Sequence, residues 1–160
     1  MLEGRSGLGR WYAIALAIVL LDQASKLLVT EFLLPGEQVP VTPFFNLVLA
    51  HNTGAAFSLL AEAGGWQRWF FILVAAIAAV VIGWLLAQHR QEPRYCLALV
   101  GILGGALGNL LDRLRLGYVV DFLDFHVAGW HWPAFNVADM AITGGAALLI
   151  WDSLVRGRGQ

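Results

Sequence analysis

Four long apolar stretches alternate with more polar segments along the chain, at about residues 11–30, 66–88, 94–111 and 137–155. A helix that crosses a bilayer needs about 20 mostly apolar residues, so each stretch predicts one span. The first carries Asp22 and Lys26 in its second half, and the other three are nearly free of internal charge. Arg5 and Arg10 ahead of an apolar run look like the start of a targeting segment. The run leads, however, into Asp22-Gln23-Ala24-Ser25-Lys26 rather than a small-residue cleavage site, which predicts a retained first span. The pattern therefore predicts an all-α membrane protein: a four-transmembrane-helix bundle with a small extracytoplasmic β-sheet or hairpin element. Residues 1–160 form a single integral membrane domain in this reading.

The two longer connections, residues 31–65 and 112–135, hold the non-helical signals. In the first, Pro35-Gly36 predicts a turn and residues 44–50 a strand, broken by His51-Asn52-Thr53-Gly54. Residues 55–63 could form a short amphipathic helix or lid. In the second, residues 119–127 predict a strand, Ala128-Gly129 a turn, and residues 130–135 a return strand. A two-residue loop puts Val127 opposite Trp130, and continued pairing puts Asp121 opposite Asn136. Asp139 follows one helical turn later, so Asp121 and Asp139 converge. Pro133 requires an edge or a bulge in that return strand.

Composition agrees with burial in lipid. The chain is 59% hydrophobic and 13% charged, against about a quarter charged in soluble domains. A net charge of −1 offers no basic surface for nucleic acid. Arg5, Arg10, Arg90, Arg94, Arg156 and Arg158 collect on one side of the predicted spans, and Arg68, Arg113 and Arg115 on the other. The arginine-rich side is cytoplasmic by the positive-inside rule. Both termini then lie in the cytoplasm and both long connections face outward. The lone Cys96 lies in an apolar run and reads as a core residue. Gly101, Gly104, Gly105 and Gly108 give the third span a small-residue packing face, with Gly144 and Gly145 as the close-approach point of the fourth.

Carboxylates near hydrocarbon are costly and point to function. Two of them brought together cannot both ionise easily, so the pair can share one proton. Such a pair can activate water and protonate a leaving amine, which is aspartic peptidase chemistry without metal or other cofactor. Asn136 and Asp139 also have the spacing of a helix-capping box. Asp22 and Lys26, four apart, share a helix face; structural pairing and substrate positioning both fit. Asn109 and Arg113 repeat that spacing at the end of the third span, where Arg113 could hold Asp112 or a substrate carbonyl. Asn52 suits either gripping a peptide backbone or a turn. His51, His89, His126 and His131 lack metal-ligand spacing.

Five blocks in order carry a resemblance: Asp22-Gln23-Ala24-Ser25-Lys26; Asn52-Thr53-Gly54-Ala55-Ala56-Phe57; residues 105–113, with Gly108-Asn109 and Asp112-Arg113; Val119-Val120-Asp121-Phe122; and Phe135-Asn136-Val137-Ala138-Asp139. Over about residues 11–155 the chain resembles bacterial lipoprotein signal peptidase, or signal peptidase II. The resemblance implies a membrane aspartic endopeptidase that cleaves diacylglyceryl-modified prolipoproteins just before the lipidated cysteine. It implies Asp121 and Asp139 as the catalytic pair, with Asp22, Lys26, Asn52, Gly54, Asn109, Arg113 and Asn136 supporting them or holding substrate. It further implies no cofactor, a monomer in the bacterial inner membrane, and a site at the periplasmic face. The partners it implies are lipidated prolipoproteins, membrane lipid and cyclic peptide inhibitors of the globomycin type. Two rivals predict otherwise: a small proton-coupled transporter or channel relaying protons through Asp22, Lys26, Asp121 and Asp139, or a non-catalytic membrane scaffold indifferent to both aspartates.

Overall fold

A computed structural model describes residues 3–54 and 64–157. The helix or lid expected at residues 55–63 lies outside the described residues. In chain order the elements are α1 (Glu3–Phe32), β1 (Gln38–Thr42), β2 (Phe45–Asn52), α2 (Trp66–Gln88), α3 (Pro93–Arg115), β3 (Val119–Val127), β4 (Trp130–His131) and α4 (Val137–Gly157). Among the described residues, four helices are long and apolar enough to cross a membrane. All four coincide with the spans predicted from the pattern, and α3 runs about one turn beyond the expected residue 111.

The helices are turned inside out relative to a water-soluble bundle. Leu20, Val80, Ile150 and Trp151 are among the exposed large side chains, while Asp22, Lys26, Asn109, Asp112, Asp121 and Asn136 are buried. Hydrocarbon outside and satisfied polar groups inside are what a bilayer solvent requires. Trp11, Ala15, Ile82, Leu86, Cys96, Leu99, Val100 and Leu103 form an apolar core nearer the arginine-rich end. At that end the Trp11 indole donates to the Arg90 carbonyl at 3.4 Å, and Arg156 pairs with Glu92.

Helix α3 is central and packs against the other three, most extensively against α4. Its glycines permit this. A Cβ on Gly101 would lie 3.0 Å from the Ala141 carbonyl oxygen, and one on Gly104 would lie 2.9 Å from that of Ala15. On α4 the close-approach residue is Gly145, whose Cβ would lie 2.6 Å from the Ala98 oxygen; Gly144 faces open space. The expectation that both glycines serve this contact is thus corrected to one. Gly145→Ala should destabilise the fold by about 1–3 kcal/mol, because the obstacle is backbone and cannot rotate away. Gly144→Ala should not, and paired thermal melts in detergent check the contrast.

The sheet has the order β1-β2-β3-β4, each neighbouring pair antiparallel. Strand β1 was not expected from the sequence: Gln38-Val39-Pro40-Val41-Thr42 is short, mostly exposed and contains proline, which an edge strand tolerates. Strand β2 continues through His51 and Asn52, past the expected break. The β3–β4 hairpin has the predicted turn, with Val127 opposite Trp130. Ala128 and Gly129 both have positive φ, 50° and 82°, as a turn matched to strand twist requires.

The expected continuation of that hairpin fails. Strand β4 ends at His131, and the next bridge joins Leu123 to Phe135, one residue out of the extrapolated register. Pro133 has no N–H to donate, so the ladder is interrupted there. Asp121 is opposite Ala50 of β2, not Asn136. On the face of β3 away from the cavity described below, Asp124 accepts from Asn46 Nδ2 (2.8 Å) and Gln38 Nε2 (3.1 Å) and bonds His131 Nδ1 (2.9 Å). Burial pushes the Asp124 carboxyl up, but the hydrogen bonds from Asn46 and His131 hold it below the ordinary carboxylate value. One acid thereby ties all four strands together.

Candidate active site

The site forms where three elements end. Helix α3 delivers Asn109, Asp112 and Arg113 in its last two turns, strand β3 delivers Asp121, and Asn136 and Asp139 open α4. Asn136 is the N-cap of α4 and organises the rest. Its Oδ1 accepts from the Asp139 backbone N–H (2.9 Å), and Asp139 Oδ2 accepts from the Asn136 backbone N–H (3.2 Å). This is the reciprocal capping box anticipated from the spacing. The same Asn136 turns its Nδ2 to Asp121 Oδ1 at 2.7 Å. The capping contacts of Asn136 and Asp139 therefore leave Asn136 Nδ2 free to bind Asp121. The contact between Asp121 and Asn136 survives the lost strand register because it runs through side chains.

Each carboxylate has a second amide donor. Asn52 Nδ2 donates to Asp121 Oδ2 (2.9 Å), and Asn109 Nδ2 donates to Asp139 Oδ1 (2.8 Å). Asn52 Oδ1 meanwhile accepts the Gly54 N–H at 2.9 Å, so one side chain makes both the turn contact and the contact to Asp121. Burial, then the charge of Asp139, pushes the Asp121 carboxyl up to about 7, against the hydrogen bonds from Asn52 and Asn136. Asp139 lies in the first turn of α4, where the helix dipole favours negative charge.

Both aspartates line a cavity of about 940 Å³ that also exposes Asn52, Asn109 and Arg113. Most of its wall is apolar. Phe45, Phe125 and Phe135 form an aromatic side, with ring centroids 4.9 and 5.9 Å apart along the series, and Met140, Ile142 and Gly144 continue it along α4. Arg113 Nη2 donates to the Gly54 carbonyl at 2.7 Å, which ties Gly54, just past β2, to the end of α3. The alternative that Arg113 holds Asp112 is not what forms. Arg113 Nε is buried without a hydrogen-bond partner among the described residues.

Asp22 and Lys26 pair as their spacing predicted, at 2.8 Å, and the partner that sequence spacing did not reveal is Asp112, also 2.8 Å from Lys26 Nζ. Gln23 donates to Asp112 Oδ1 at 2.8 Å. Asp112 has helical spacing from Asn109, and Gly108 beside it lets α1 approach; those are the signals that could have found it. By its place in the sequence Arg68 is only an outer charge. It caps the end of α3, donating to the carbonyls of Arg113 (2.8 Å) and Leu114 (3.0 Å). Among the described residues, no group of three or more His, Cys, Asp or Glu side chains is arranged to hold a metal ion.

These features define a multi-pass membrane protein with two carboxylates, one buried and one half-buried, at one end of a four-helix bundle. Comparison with known proteins narrows the class. The pattern of the family described as Signal peptidase (SPase) II matches residues 14–155. A lipoprotein signal peptidase of Ralstonia nicotianae is 56% identical over 155 residues, covering 97% of this chain and 90% of that protein. A second, from Paraburkholderia phymatum, is 54% identical over 152 residues, covering 95% and 92%. A bacterial membrane enzyme structure solved by the in meso method at 2.3 Å superposes with a TM-score of 0.86 at 29% identity, covering 95% of this chain and 92% of that one. Another, at 1.9 Å, gives a TM-score of 0.80 at 30% identity, covering 91% and 93%. The chain belongs to the signal peptidase II family and is a membrane protease.

Proposed function

We propose that the protein is an aspartic endopeptidase in which Asp121 and Asp139 together activate water. On this reading it removes the signal peptide from diacylglyceryl-modified prolipoproteins, just before the lipidated cysteine. The observation that carries this is the tethering of both carboxylates to Asn136 at the wall of one large, mostly apolar cavity. Asp121, pushed up by burial, holds the shared proton; Asp139, at the helix N-terminus, carries the charge. Asp139 takes a proton from water as the water oxygen adds to the scissile carbonyl carbon, and Asp121 protonates the carbonyl oxygen. The C–N bond then breaks as Asp139 returns its proton to the leaving amine and Asp121 recovers its own from the gem-diol. Arg113, which lines the same cavity, places a positive charge beside the two carboxylates where a substrate carbonyl would lie.

The apolar wall suits the remainder of the substrate. Diacylglycerol brings two acyl chains, and each buried methylene is worth about 0.8 kcal/mol. The relay rival fits poorly, because the buried ionisable groups around Lys26 and the aspartates give way to an apolar core on the way to the opposite end. The arginines at that end favour placing both termini in the cytoplasm and the site at the periplasmic face of the bacterial inner membrane.

Matched precursor peptides with and without diacylglycerol test this. Removing the lipid should lower kcat/KM by about 10²-fold or more, since four methylenes at about 0.8 kcal/mol each already correspond to that factor. Equal rates on both peptides would show that the cavity does not read the lipid.

A further inference from the structure

We propose that Lys26 is a positioning residue that sets the separation of the two reacting carboxylates from outside the cavity, an inference that rests on the Asp121–Asp139 reading above. Its ammonium group is buried and has three acceptors: Asp22 Oδ2 (2.8 Å), Asp112 Oδ2 (2.8 Å) and Asn109 Oδ1 (3.0 Å). The two acids each have another task. Asp112 Oδ2 accepts the backbone N–H of Val120 at 3.1 Å, and Asp22 Oδ1 accepts that of Ala138 at 2.9 Å. Val120 is the residue immediately before Asp121, and Ala138 the residue immediately before Asp139. One cation thus joins two acids, and each acid grips the backbone beside one carboxylate.

The third acceptor completes the arrangement. Asn109 Oδ1 receives Lys26 Nζ and Asn136 Nδ2 (3.2 Å), so the amide can turn only its Nδ2 to Asp139. Were Lys26 absent, that amide would lose one of the two donors fixing its orientation, and Asp22 and Asp112 would be left buried with no cation between them. A buried acid without its partner is strongly destabilising, and it would relax by moving β3 and the start of α4 apart. Gly108 marks how tight the junction is: a Cβ there would lie 2.6 Å from Asp22 Oδ2.

Geometry and charge separate on substitution. Lys26→Arg keeps the positive charge, but a planar guanidinium cannot address three acceptors arranged around a compact ammonium. Asp112→Asn keeps an oxygen for the Val120 N–H and removes the charge that holds it to Lys26. Both variants, and wild type, are assayed on the lipidated precursor in detergent with a thermal melt of each. Expected are folded proteins with kcat lowered about 10²-fold, the cost of displacing a reacting group by about 1 Å, and KM within about 3-fold of wild type. Wild-type kcat in a folded Lys26→Arg protein would show that Lys26 only neutralises charge, and would overturn the proposal. A loss expressed in KM instead of kcat would overturn it too. Should Lys26→Arg fail to fold, Asp112→Asn decides by the same readings. Asp121→Asn and Asp139→Asn in the same assay separate the two claims. Turnover in those variants sinks the catalytic assignment itself, whereas inactivity there with full turnover in Lys26→Arg sinks only the role of Lys26.

Discussion

Asp121→Asn and Asp139→Asn each lower kcat/KM on a lipidated precursor by about 10³-fold or more, with both proteins still folded. The size follows from the two roles: removing one positioned proton donor or acceptor costs about 10²–10⁴-fold. An amide at 139 has no basic oxygen for the water proton. An amide at 121 has no acidic proton for the carbonyl oxygen. Neither change should disturb the apolar cavity wall, so the loss belongs in kcat with KM little altered. The folded state has its own check, because each Asn turns an NH₂ group toward a donor that the carboxylate had accepted. At 121 those donors are Asn52 Nδ2 and Asn136 Nδ2; at 139 they are Asn109 Nδ2 and the Asn136 N–H. Near pH 4, where wild-type Asp121 holds its proton, a modest drop in Tm is expected, and a cooperative melt must remain in both variants at the assay pH. Turnover near wild type in either protein would remove the carboxylate pair from the mechanism.

Much of this arrangement could be read along the chain, for identifiable reasons. Spans α1 to α4 announce themselves because lipid demands some 20 apolar residues at a stretch. Strand β3 and the Ala128-Gly129 turn were legible because the Val- and Phe-rich composition of a strand and the chemistry of a turn are local. The return strand was not, since Pro133 breaks a ladder whose continuation had been extrapolated, and the bridge at Phe135 lies one residue away from that register. The meeting of Asp121 with Asn136 was anticipated through backbone pairing but is made by side chains.

The supporting groups were visible as residue types more than as contacts. Asp22 and Lys26 pair on one helix as spacing requires, whereas Asp112 joins them from another helix, which no periodicity on α1 reports. The aromatic wall of Phe45, Phe125 and Phe135 comes from two strands and the segment before α4, so no single stretch displays it. Edge strand β1 is hidden by its own proline and exposure.

Stability should report the proton on Asp121 independently of turnover. In the folded protein its carboxyl is pushed from 3.8 up to about 7. Below about pH 3.8 both the folded and the unfolded chain hold the proton, and Asp121 contributes no pH dependence. Between about pH 4 and 7 the unfolded chain ionises there while the folded one does not, so stability falls as pH rises. Three pH units at 1.36 kcal/mol each amount to about 4 kcal/mol, and the loss levels off above about pH 7. Asp121→Asn escapes this loss but carries a pH-independent cost of about 1–3 kcal/mol for the misdirected amide. The two curves should therefore cross. The variant melts below wild type at pH 4 and above it at pH 8, measured in one detergent at constant ionic strength. A Tm difference that stays flat across this range would mean that Asp121 is ionised throughout, leaving no proton on it to place on the scissile carbonyl.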